Sequence, residues 1–246
     1  MACIAFSKTF KHNRESYRDG KPKIAIYSYN FGSYRNELNG GIDNMTFYPE
    51  FDYYFYTNND VKSDKWKVIK VPLQPRTKHM NTNRVTTKYY KFKKLPKELL
   101  NYDYVLHVDN SAVKGVWGGM SRFTPKKIYD LIEKNKDVSF FGRKHRAYHS
   151  IKDEALRAQI NGSAGTEYIP ELKKWLSALE NFEQKFTHTE LCIFLRKVND
   201  QDLNRIMPKV FDKLMERGLC RDQHVFSYIL QEEDFPKEKF LIVDWF

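Results

Sequence analysis

The stretch Tyr102-Asp103-Tyr104-Val105-Leu106-His107-Val108-Asp109-Asn110-Ser111 decides the fold. From Tyr104 to Val108 it is an apolar run interrupted by one histidine, and it stops abruptly at an acid followed by two polar residues. That pattern predicts a buried strand that delivers Asp109 into a loop. Open α/β sheets bind ligands in the crevice beyond the carboxyl ends of their strands, so Asp109 is the first candidate for a ligand contact. Read alone, an aspartate after a strand serves equally well as a turn residue.

Upstream, Ile24 to Tyr29, Phe51 to Thr57 and Trp66 to Val71 read as strands, closed by Asn30-Phe31-Gly32, Asn58-Asn59-Asp60 and Pro72. Arg84 to Leu95 carries Val85, Tyr89, Phe92 and Leu95 at helical spacing and ends at Pro96. Downstream, Thr124-Pro125 pairs an N-cap with proline at the first helical position and opens a helix to Asn135. A strand over Val138 to Phe141, a basic loop Gly142-Arg143-Lys144-His145-Arg146 and a helix over Ile151 to Ile160 follow. After the small-residue loop Asn161 to Thr166 come an amphipathic helix from Ile169 to Phe182 and a strand from Leu191 to Val198. Asn199 then caps a helix that ends at Gly218, and Arg221-Asp222-Gln223 opens a last helix to Leu230. Strands and helices alternate, as in an open α/β sheet, and the length suits one domain, over residues 23–246. Residues 1–22 read as a polar leader.

A formal charge of +11 predicts a positive surface suited to anionic partners, without choosing among phosphates, nucleic acid and acidic lipid. Cys3, Cys192 and Cys220 lie far apart, which argues against a disulfide framework or a structural zinc site. No apolar run approaches signal-peptide or membrane-span length, so a cytoplasmic location and no transmembrane segment are expected. P-loop, GxSxG, HExxH and GxGxxG patterns are absent, which leaves phosphoryl transfer, serine hydrolysis, zinc proteolysis and dinucleotide redox without support. Nucleic acid is not expected as a partner either, because most of the aromatics fall inside apparent strands rather than on a stacking platform.

Several charged groups are candidates. Arg84 and Lys88 stand one helical turn apart and can reach one anion together, but with Lys91, Lys93 and Lys94 close by they read just as well as part of a solvated helix face. Asp222 at a helix start reads as an N-cap favoured by the dipole. The basic loop from Arg143 to Arg146 is either solvated charge or a cover for an anionic ligand.

Taken in order, several segments resemble a glycosyltransferase-like domain family known from plant and microbial proteins, one group of which is linked to mucilage polysaccharide synthesis. The resemblance runs over residues 23–231. It rests on Lys23 to Leu38 with Tyr27, Gly32 and Tyr34, on Phe51 to Asn58, Trp66, the Arg84 and Lys88 pair and His107-Val108-Asp109, then on Arg143 to Glu154, Glu190 to Lys197 and Arg221-Asp222-Gln223. It implies a GT-A fold, a single Rossmann-related α/β domain with a mixed central sheet flanked by helices, and hexosyl or pentosyl transfer from a nucleotide sugar, a UDP-sugar by expectation, to a hydroxyl of a glycan or glycoconjugate.

In that fold an Asp-x-Asp motif holds Mn²⁺ or Mg²⁺ and the donor diphosphate; here it reads Asp109-Asn110-Ser111, without the second carboxylate. The resemblance therefore implies a metal at Asp109 with His107, His145 or His224 as a replacement ligand, or neutralisation by lysines and arginines alone. Donor contacts are expected from Tyr29, Asn58, Arg84, Lys88, Asp109, Ser111, Arg143 and His145. Asp222 is the first candidate and Glu190 the second for the base that takes the proton from the acceptor hydroxyl. The alternatives are a basic nucleic-acid-binding α/β protein and a catalytically inactive sugar- or lipid-binding relative.

Overall fold

The computed structural model describes residues 20–32, 38, 42–43, 45–110, 123–160, 168–244 and 246. Seven strands, β1 (Ile24–Asn30), β2 (Asp52–Thr57), β3 (Lys67–Lys70), β4 (Tyr104–Val108), β5 (Phe140–Lys144), β6 (Thr189–Lys197) and β7 (Phe240–Ile242), form one sheet in the order β3-β2-β1-β4-β6-β5-β7. Neighbours pair in parallel except β6, which runs antiparallel to both β4 and β5. With helices on both faces this is an α/β fold, as the alternating sequence pattern predicts, and antiparallel β6 makes its sheet mixed, as the resemblance implies.

The period of two in β1 divides its side chains between two cores. Ile24 and Ile26 pack with Phe51, Trp66, Leu106 and Leu195 on one face, closed by Ile128 and Ile132 of helix α2 (Pro125–Lys134). Ala25, Tyr27 and Tyr29 point to the other face, among Tyr54, Tyr56, Tyr90 and Val105. That second face continues over β5 and β6, where Phe140 and Phe194 meet residues of α3 (Ile151–Ile160), α4 (Ile169–Ala178), α5 (Gln201–Arg217) and α6 (Gln223–Glu232). Among the described residues, no helix is long and apolar enough to cross a membrane.

Five local expectations are corrected. The segment predicted as one helix from Arg84 to Leu95 is a short α1 (Thr82–Lys88) running into a π-helical turn over Tyr89–Lys93. β5 lies two residues later than predicted and takes in Arg143 and Lys144, because pairing with β6 continues through a bulge between Gly142 and Arg143. Glu190 belongs to β6 rather than to the loop before it. Asp200, not Asn199, caps α5, its side chain accepting from the Leu203 N–H. β7 carried no sequence signal strong enough to be predicted.

The chain runs β1, β2, β3 to one edge and then returns to place β4 on the opposite side of β1. The strand order therefore reverses between β1 and β4, the place where open α/β sheets bind ligands in a crevice beyond the carboxyl ends of their strands.

Candidate active site

Asp109 leaves β4 at that reversal, its backbone N–H bonded to the Cys192 carbonyl of β6 at 2.7 Å. Its side chain is 36% exposed, whereas His107, two residues earlier on the same strand, is fully buried. The His107 ring lies among Tyr27, Tyr29 and Phe194, with centroids about 5 Å apart. His107 Nε2 stands 2.9 Å from Asp109 Oδ1 and 3.2 Å from the Tyr29 hydroxyl. Its Nδ1 has no hydrogen-bond partner among the described residues, so the proton sits on Nε2 and is donated to the carboxylate. Burial pushes the His107 pKa down to about 4, against the pull of Asp109, and keeps the ring neutral.

Lys91 approaches the same carboxylate from the π turn, 3.9 Å from Oδ1, and its ammonium lies 2.8 Å from Asp222 Oδ2. Lys88 reaches that Asp222 oxygen at 3.1 Å from the end of α1. Lys91 and Asp222 are both buried. Burial alone would raise the Asp222 carboxyl, but the two lysines outweigh it and hold the group well below the usual carboxylate range. Burial would likewise depress Lys91, yet Asp222 and Asp109 hold its pKa above the ordinary lysine value. Asp109 is also held low, because Lys91 and the His107 hydrogen bond overcome its desolvation. The result is an alternating line of charge and dipole, Lys88, Asp222, Lys91, Asp109, His107, whose solvent-facing end is Asp109.

Asp222 makes no side-chain capping bond at the start of α6, so the N-cap expected from its position is replaced by the lysine pair. Lys91 is the residue that sequence reasoning missed. Arg84, Lys88 and Lys91 recur at steps of four and three, a stripe that already put them on one helix face. Arg84 lies in the first turn of α1, half-buried, while its backbone N–H completes the Asn81 cap.

The other expected residues fall into separate groups. Asn58 Oδ1 accepts from the Gly32 N–H at 2.8 Å, and Asn59 donates to the Gly32 carbonyl. Gly32 has φ +66°, and a Cβ there would overlap the Asn83 side chain, so this turn at the end of β1 requires glycine. Asn58 thus secures the rim of the crevice, and Tyr29 supports His107 from beneath. Glu190 is buried and ion-paired, its carboxylate 3.3 Å from Arg143 Nε and 3.0 Å from Arg146 Nε. The bulge that aims Arg143 at Glu190 also depends on glycine, since a Cβ on Gly142 would come within 2.8 Å of Thr189 Cγ2. Ser111 lies outside the described residues, as do Tyr34 and the Asn161 to Thr166 loop.

His145 belongs to a third group, together with Glu154 of α3 and His188. The ligand atoms of these three buried residues lie within 4.8 Å of one another, a spacing that one metal ion could bridge. In the present arrangement Glu154 is already engaged, by His188 Nε2 at 2.8 Å and by Arg221 Nη1 at 2.8 Å. His145 Nδ1 accepts from the Ala147 and Tyr148 N–H groups, which places its proton on Nε2. The Glu154 carboxyl is held down to about 2: burial opposes this, and His188, His224 and Arg221 more than compensate.

At Asp109 itself the residues do not fit a divalent ion. Oδ1 is occupied by His107, a lysine ammonium stands 3.9 Å away, and the nearby Asp222 carboxylate is taken by two lysines. A hard divalent cation requires several uncommitted oxygens, and His107 presents an N–H rather than a lone pair.

No family model matches the chain, and no curated protein matches it. Among solved structures, the chain is similar to the apo form of the bifunctional glycosyltransferase WbbM, with TM-score 0.48 and 10% identity over 90% of this chain and 39% of that one. It is also similar to the glycosyltransferase GlyE of Streptococcus pneumoniae TIGR4, with TM-score 0.41 and 9% identity over 91% of this chain and 45% of that one. The chain therefore spans less than half the length of either.

Proposed function

We propose that this chain is a glycosyltransferase that moves a hexosyl or pentosyl group from a nucleotide sugar, a UDP-sugar by preference, to a hydroxyl of a glycan or glycoconjugate. The observation that carries the reading is Asp109: a carboxylate at the reversal of strand order, anchored by buried partners on its inner side and open on its outer side. The segments that resemble a glycosyltransferase-like family include the Gly32 turn, Arg84, Lys88, Asp109 and Arg221-Asp222-Gln223, and this supports the reading.

In this reading Asp109 contacts hydroxyls of the donor, and Arg84 with Lys88 faces its diphosphate from the rim. Negative charge developing on the leaving diphosphate is met by fixed cations, so Mn²⁺ or Mg²⁺ held by Asp109 and His107 is not required. Asp222 and Glu190 act as positioning residues. Each is buried, and the two cations beside it engage the carboxylate oxygens that a substrate proton would have to reach.

Calorimetric titration with a panel of nucleotide sugars, followed by assay of the binders for donor hydrolysis and transfer, tests the proposal. Binding and turnover of at least one donor is expected. Failure of every nucleotide sugar and of UDP to bind the folded chain refutes the reading, while binding without turnover identifies an inactive relative.

A further inference from the structure

A polar cleft opens past the end of β5, where the chain leaves the sheet. It encloses about 510 Å³ and is lined by Ala147, Tyr148, His149, Asp153 and Arg157. That volume lies in the range of small-molecule sites.

Its walls are built on buried structure. The Ala147 and Tyr148 N–H groups donate to His145 Nδ1 at 3.2 and 3.1 Å, and the Tyr148 ring packs against the His145 ring. His145 is itself buried beside Glu154 and His188. Asp153 is fixed from both ends, its N–H bonded to Ser150 Oγ and its Oδ2 accepting from the His149 N–H. Arg157 lies one helical turn further along α3 and is exposed.

The chemistry of this lining selects its ligand. Asp153 can only accept hydrogen bonds and Arg157 can only donate them, so a pair one helical turn apart suits neighbouring hydroxyls, each of which does both. The half-buried Tyr148 adds an aromatic ring beside them, apolar on its face and polar at its tip. The opposite charges of Asp153 and Arg157 offset each other, which suits a neutral ligand. Arg143 and Arg146, at the base of the loop that carries the cleft, hold Glu190 on β6, and the Cys192 carbonyl two residues further along β6 holds the Asp109 N–H, so one strand links the two sites.

We infer that this cleft is the acceptor subsite and takes a neutral oligosaccharide, an assignment that rests on the glycosyl-transfer reading. The full chain is to be applied to an array of defined neutral and uronate-containing oligosaccharides, and the strongest binder titrated against the parent, Asp153→Asn and Arg157→Ala. UDP affinity and circular dichroism are measured on the same samples. A neutral oligosaccharide is expected to bind, and each substitution is expected to weaken it at least ten-fold with UDP affinity unchanged.

Retention of oligosaccharide affinity in both variants overturns the assignment, as does a preference for uronates or a lack of oligosaccharide binding in a chain that binds UDP. Oligosaccharide binding lost in the variants, in a chain that binds no nucleotide, keeps the cleft as a glycan site and removes the transferase reading instead.

Discussion

The Asp222 carboxylate lies 2.8 Å from the Lys91 ammonium, and neither side chain is more than 5% exposed. Such a pair contributes little net stability when intact, but losing one partner strands a buried charge. Asp222→Ala is therefore expected to cost about 3–5 kcal/mol in chemical denaturation. Lys91→Met combined with Asp222→Leu should recover most of that loss, because Lys88 is the more exposed partner and can turn to solvent. A loss below about 1 kcal/mol, together with a large fall in turnover, would return Asp222 to the role of proton acceptor.

Asp109→Asn is expected to leave the melting temperature nearly unchanged. The side chain is partly exposed, its backbone N–H bond to Cys192 is untouched, and the amide oxygen can still accept from His107. Donor turnover should fall by about 10²-fold or more, the scale of losing one preorganised polar contact in a site. Thermal melts and donor hydrolysis on the same preparation check both halves, and normal turnover removes Asp109 from the mechanism.

The strands that frame the crevice were legible because their signals are local. The apolar run ending at Asp109 and the Thr124-Pro125 cap each sit within a few residues, and both stand where the sequence puts them. The stripe with Arg84 and Lys88 gave the face of Lys91 but not its burial, because the π turn that carries Lys91 and Phe92 inward together is announced by no short-range pattern. Its partner Asp222 comes from a different element, so only the tertiary fold reveals the pair. Glu154 is similar: its position on α3 was readable, but its contacts with His188 and Arg221 join three separate segments. Arg143 and Lys144 read as loop because their strand character comes from pairing with β6.

The buried neutral His107 predicts an acid-side loss of stability. Its folded pKa is lowered from 6.5 to about 4, so the unfolded chain binds the proton more readily between those values. This stability is fully present above pH 6.5 and is lost as pH falls towards 4, on the order of 3 kcal/mol at most. Urea midpoints measured from pH 7.5 to 4 should fall for the parent and fall less for His107→Gln, which keeps a donor towards Asp109 without a titrating ring. Parallel curves for the two chains would show that His107 titrates normally.

Metal removal separates the two ways in which a diphosphate can be held here. A site built on a metal-bridged carboxylate loses nucleotide affinity and activity together when the ion is stripped, because the ion carries the charge that meets the phosphates. In this crevice, by contrast, His107 and Lys91 already engage Asp109, and the rim contributes Lys88 and Arg84 on one helix face. UDP affinity is accordingly expected to change less than about three-fold between EDTA and millimolar Mn²⁺ or Mg²⁺, well inside the factor of ten that 1.4 kcal/mol represents. Lys88→Ala should weaken UDP binding about ten-fold in either condition, the scale of one charge-assisted contact. Calorimetry in both buffers decides the matter: affinity that vanishes in EDTA and returns with Mn²⁺ would place a metal at the donor and overturn the assignment of its charge to the protein's own cations.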